Sequence, residues 1–132
     1  MLTRLYDTGA WSRSISPGIA SGSLAWFHVA EQFKAVADGA AAEDLDAALM
    51  DSLARAPLQA LPELSRIYGQ TFEEICDLSF EAELPKPDVA TYILGIRTKL
   101  GAARTAHARA MATACNRGLD ESVRHAAEQG LL

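Results

Sequence analysis

Residues 89–117 read VATYILGIRTKLGAARTAHARAMATACNR, and the expected architecture follows from their spacing. The stretch lies between Pro87 and Gly118 and holds no proline and no acidic side chain. Val89, Ile93, Ile96, Leu100, Ala103, His107, Ala110 and Ala114 are separated alternately by four and three residues. That is the heptad pattern of a helix with one covered seam. Asp88 is placed to cap such a helix and Gly118 to end it. The spacing therefore predicts a single rod over 89–117. At 1.5 Å per residue it would be about 43 Å long, more than one compact domain of this size needs. Its seam is aliphatic as far as Leu100 and almost entirely alanine beyond. Small side chains bury little area, so the second half is expected to need a close partner helix from this chain or from a second copy. Gly95 and Gly101 each cost about 1 kcal/mol relative to alanine and mark places where a bend or a close neighbour is expected.

Charge divides the chain unevenly. The 85 residues before Lys86 carry five basic and thirteen acidic side chains. The rod carries Arg97, Lys99, Arg104, Arg109 and Arg117 and no acid. The net charge of -5 argues against general nucleic-acid affinity but permits a local basic surface.

Upstream, the same kind of reading yields more helices. Residues 1–22 contain Gly9, Pro17, Gly18, Gly22 and several serines and are expected to be an irregular arm, docked through Trp11 and Ile15 or disordered. A helix over Ser23–Asp38 would be capped by Ser23 and would bury Trp26, Val29, Phe33 and Val36. A second, Ala41–Ala56, would bury Leu45, Leu49 and Leu53 and stop at Pro57. Pro62–Tyr68 forms a short third, closed by Gly69. Thr71 and Glu74 make a capping box for a fourth over Thr71–Glu83. A last short helix starts at Asp120. The expectation is an all-α fold: a five- to six-helix bundle over residues 23–132, with an N-terminal arm and one long C-terminal helix.

Composition agrees with this reading. At 132 residues, 49% hydrophobic and 22% charged, the chain has the balance of one globular domain. No apolar run reaches the roughly 20 residues that span a bilayer, and the N-terminus lacks the apolar core of a signal peptide. Cys76 and Cys115 have no paired spacing and are expected to be two buried free thiols in a reducing cytoplasm.

Few residues suggest chemistry. Leu64–Leu78 has a helix-turn-helix outline, but Glu73, Glu74 and Asp77 on its second helix would repel a phosphate-lined groove, so a plain helical corner is expected. Glu74, Asp77 and Glu81 share a face, yet there is no Glu-x-x-His pair, and a solvated acidic face is the simpler reading. No histidine stands at metal-ligand spacing with another histidine or cysteine. His107 falls on the seam, where it would pack among alanines or serve a pocket with Trp26, Phe33 and Tyr92. No serine elbow or phosphate-binding glycine loop is present. No catalytic residue, cofactor or metal ligand is assigned.

The sequence therefore points to a small non-enzymatic protein-binding module, such as an adaptor, inhibitor or assembly factor, docking through helix faces. Arg97, Arg104 and Arg109 on the basic helix and Glu73, Asp77 and Glu81 on the acidic one are the expected binding residues. A homodimer could join the two kinds of face. The alternatives are a nucleic-acid-associated regulator using helix 89–117 and a helical enzyme or ligand-binding bundle with a pocket near His107.

Overall fold

The computed structural model describes residues 11–37, 39–78 and 88–132. Every regular element among them is helical. They group into two compact units divided between Ala60 and Leu61.

In the first unit a π-helical turn, Trp11–Ile15, runs into α1, Ser16–Ala20. This described part of the expected irregular arm is therefore helical. Pro17 sits in the first turn of α1, where its missing amide costs no helical bond. Gly22, at φ +79°, turns the chain into α2, Leu24–Lys34. Ser23 precedes α2 with extended backbone, but its side chain makes no capping bond. The indole of Trp26 lies on Gly18, in the space a Cβ would occupy. Consequently Phe27, Ala30 and Phe33 form the buried stripe, and Trp26 and Val29 are only half-buried. The helix also ends four residues earlier than expected, which leaves Val36 61% exposed. α3, Gly39–Arg55, buries Leu45, Leu49 and Leu53 as its spacing predicts. α1 packs on both α2 and α3, and α2 on α3.

The unit boundary falls inside α4, Pro57–Tyr68. This helix begins one turn earlier than expected. Pro57 starts it instead of merely stopping α3, and Pro62 lies within it at the exposed surface, at the cost of one backbone hydrogen bond. Gly69, at φ +65°, closes it.

In the second unit the capping box forms as read. The Glu74 amide donates to Thr71 Oγ1 at 3.1 Å and the Thr71 amide to Glu74 Oε1 at 3.4 Å. It opens α5, Phe72–Cys76, which is only five residues long. Asp77 has already left helical geometry, so it does not continue a helical face with Glu74. Residues 79–83 of the expected helix lie outside the described residues. α6, Val89–Leu100, is capped by Asp88, whose carboxylate accepts from the Thr91 amide at 2.7 Å. Its buried residues are Val89, Ile93, Ile96 and Leu100, the aliphatic half of the expected seam.

The rod does not continue. Gly101–Thr105 interrupts it, and α7, Ala106–Glu128, starts afresh with Thr105 accepting from the Ala108 amide at 3.0 Å. A straight helix would hold Arg97 and Asp120 about 35 Å apart. Their side chains instead meet at 2.7 Å, so the chain reverses between α6 and α7. The seam changes with it. Met111, Cys115, Leu119, Ser122 and Ala126 are buried, whereas His107 and Ala110 are exposed. Gly118 is not a cap. It lies buried inside α7, which absorbs the separate helix expected from Asp120.

Cys76 and Cys115 are not free thiols. They form a disulfide, with Cα atoms 5.2 Å apart, because α5 packs directly on α7. Among the described residues no helix is long and apolar enough to cross a membrane.

The Asp88 cap gives a pH test. Its hydrogen bonds to the Thr91 amide and side chain hold its carboxyl below the ordinary aspartate range. A lowered folded value means that the cap's stabilisation is complete above the unfolded pKa and is lost as pH falls through the folded one. The N-terminus of α6 is therefore expected to fray only below about pH 4. The Thr91 amide shift followed by NMR should titrate there, and Asp88→Asn should abolish that titration.

Candidate interaction surface

The six residues singled out from sequence fall into four different settings. Arg97 is built into the second unit. Its guanidinium donates to Asn116 Oδ1 at 2.9 Å and to Asp120 Oδ1 at 2.7 Å, and its side chain is 30% exposed. It ties α6 to α7. Glu73 faces Arg117 across 3.6 Å, and Asp77 faces His125 Nε2 across 3.3 Å. Both pairs connect α5 with α7 at the surface, where such pairs contribute little stability. Glu81 lies outside the described residues.

Arg104 and Arg109 are different. Arg104 stands in the turn before α7 and Arg109 in its first turns, both exposed. Arg97 and Arg104 therefore do not share one helical face, because α6 ends between them. The Arg109 guanidinium donates to the Arg104 carbonyl at 2.9 Å, which holds it over the turn. Among the described residues no carboxylate pairs with Arg104 or Arg109. From Gly101 to Ala110 no residue is buried, and Ala103 and Ala108 alone are half-buried. This run also carries His107, exposed to solvent, and no acid. The positive end of the α7 dipole adds to its charge. The surface is thus a small, alanine-floored, cationic corner.

His107 does not occupy a covered seam, so the expected pocket has no buried histidine. Trp26 and Phe33 belong to the first unit, and Tyr92 and His107 to the second. Among the described residues no three His, Cys, Asp or Glu side chains gather where they could hold a metal ion.

A feature the sequence reading missed is a shallow apolar groove of about 280 Å³ in the second unit. It is lined by Ala90, Ile93, Leu94, Arg97, Val123 and Leu132. Leu94 and Leu132 are 64% and 57% exposed. The signal was available: Ala90, Leu94 and Arg97 step by four and three beside the buried seam, and a leucine in that stripe widens the apolar face.

Among the described elements of the second unit, α5 and α7 make the most extensive contact. Cys76 is bonded to Cys115. One turn further along, Gly118 leaves room for the backbone of Glu73 and Cys76, where a Cβ would collide with the Glu73 carbonyl oxygen and come within 2.9 Å of the Cys76 carbonyl carbon. The next turn supplies Ser122, whose hydroxyl donates to the Cys76 carbonyl at 2.7 Å and accepts from the Leu78 amide at 2.7 Å.

Fold and surface together define an all-α protein whose second unit is a helical hairpin with a short disulfide-bonded helix on one side. No protein-family model, curated protein or solved structure matches the chain.

Proposed function

We propose that the chain is a non-catalytic protein-binding module, of adaptor, inhibitor or assembly-factor type, that docks an acidic surface of its partner through the corner at Gly101–Ala110. The observation that carries this reading is that corner: ten successive residues without a buried one, bearing Arg104, His107 and Arg109 and no acid, on a chain of net charge -5. Its alanines leave the backbone open to close approach, and its guanidinium groups orient an acidic partner. The partner can be a second copy, because the chain itself is acidic overall. A nucleic acid fits the overall charge less well. The cytoplasmic location expected from free thiols loses that support, since disulfides persist mainly in oxidising compartments.

The test is charge reversal at Arg104→Glu/Arg109→Glu, which spares the internal contacts of Arg97. Affinity capture from the native cell with mass spectrometry would identify the partner, and light scattering would report self-association. A purified partner is expected to bind the variant at least about tenfold more weakly than wild type, with helicity unchanged. An undiminished affinity would remove the corner from the interface. Salt-sensitive binding to duplex DNA, with no acidic protein captured, would replace the protein partner with a nucleic acid.

A further inference from the structure

We propose that the Cys76–Cys115 disulfide is a redox-released clamp: reduction frees α5 from α7 while α6 and α7 remain packed. This inference does not rest on the cationic corner. It rests on the division of α7 into two stripes with separate partners. Asn116 and Asp120 lie on one stripe and receive Arg97 of α6. The other stripe, Cys115, Gly118, Ser122 and His125, meets α5 and the residues just after it. Among the described residues no hydrogen bond or ion pair joins Asn116 or Asp120 to α5.

What holds α5 in place is unequal. A helix of five residues is far too short to persist alone. Its Glu73–Arg117 contact is an exposed ion pair of small effect, and Asp77, just past its end, stands against His125 near the surface. Ser122 supplies hydrogen bonds, and the disulfide supplies the one covalent link, closing a loop across a sequence separation of 39. α6, by contrast, has twelve residues, four buried aliphatic side chains and its own cap. Breaking the covalent link therefore removes the one covalent constraint on α5 and none of the contacts named for α6.

The exchange is chemically simple. One thiolate of a dithiol reductant attacks a cysteine Sγ, and the Sγ–Sγ bond breaks. The second thiol of the reductant then resolves the mixed disulfide. Cys76 and Cys115 end as thiols, having gained two electrons and two protons. The dithiol ends as its own disulfide. Both cysteines are 0% exposed, so attack follows a transient opening of α5.

The experiment uses the full oxidised chain, treated with excess dithiothreitol in native buffer and followed by hydrogen exchange, with alkylation and mass spectrometry counting free thiols. Once two thiols are titrated, the amides of Ile75, Asp77 and Leu78 are expected to lose protection by at least about tenfold. Those of Ile93–Leu100 and Asn116–Ala126 should stay within about twofold. Cys76→Ser/Cys115→Ser should show the reduced pattern without reductant and ignore its addition. If that variant does not fold, reduction of the wild type decides the matter. Unchanged protection in α5 after reduction would overturn the proposal. So would loss of protection in α5, α6 and α7 together, which would make the disulfide a support of the whole unit.

Discussion

Gly118→Ala should destabilise the second unit by about 2 kcal/mol, whereas Gly95→Ala should stabilise it by about 1 kcal/mol. Both glycines lie inside helices, and helix propensity alone favours alanine at each by about 1 kcal/mol. They differ in what a methyl group would meet. At Gly95 there is nothing within 4 Å, so only the propensity gain remains. At Gly118 the new Cβ would collide with the Glu73 carbonyl oxygen and stand 2.9 Å from both the carbonyl carbon and the Cβ of Cys76. Two of these three neighbours are backbone atoms, which cannot rotate away, and the disulfide at Cys76 opposes displacement of α5. Overpacking of this kind costs about 3 kcal/mol and outweighs the propensity term. Urea titrations of the two variants beside wild type check the opposite signs. A stabilised Gly118→Ala would mean that α5 does not approach α7 so closely.

The contrast between the two glycines also shows how far the sequence could be read. Large aliphatic residues declare their phase. Val89, Ile93, Ile96 and Leu100 were legible as one buried face because each gains substantially from burial. Local hydrogen-bond signals were equally legible, as Asp88 and the Thr71–Glu74 box show. Beyond Leu100 the heptad was carried by alanines, which gain little on either side of a helix. Two registers then compete almost equally. The one containing Ala103, His107, Ala110 and Ala114 extended the pattern, whereas the fold uses the one containing Met111, Cys115 and Leu119. Thr105, an N-cap residue four positions after Gly101, was the available sign of a break.

The candidate surface followed the same logic. Arginine is rarely fully buried, so the exposure of Arg104 and Arg109 could be expected. The engagement of Arg97 could not be, since its partners lie 19 and 23 residues further on, past a reversal that the heptad conceals. The disulfide was hidden for a related reason. Cysteine spacing reveals pairing only when the loop between is short or patterned, and this pair depends on how α5 lies against α7. Gly118, taken as a stop signal, owes its place to that same contact.

Ser122→Ala is expected to cost about 3 kcal/mol and Ser52→Ala less than about 1 kcal/mol, although both serines are 0% exposed. Ser52 donates to the Leu49 carbonyl within its own helix. That carbonyl also faces the amide of the next turn, so removing the hydroxyl leaves it a partner, and alanine is the better helix former. Ser122 instead joins two segments. Its oxygen accepts the Leu78 amide proton at 2.7 Å, and its proton goes to the Cys76 carbonyl at 2.7 Å, with the Gly118 carbonyl at 3.1 Å as the longer alternative. α5 ends at Cys76, so no later helical amide replaces either bond. Alanine would leave the buried Cys76 carbonyl and the half-buried Leu78 amide without this partner, and each buried unpaired group costs about 1–3 kcal/mol. Ser122→Thr retains the hydroxyl and adds one methyl, so it should fall between alanine and wild type. Urea unfolding gives the three stabilities, and exchange at the Leu78 amide shows whether the loss arises at this joint. A tolerated Ser122→Ala with a still-protected Leu78 amide would mean that the amide has another acceptor and that α5 is held by the disulfide and packing alone.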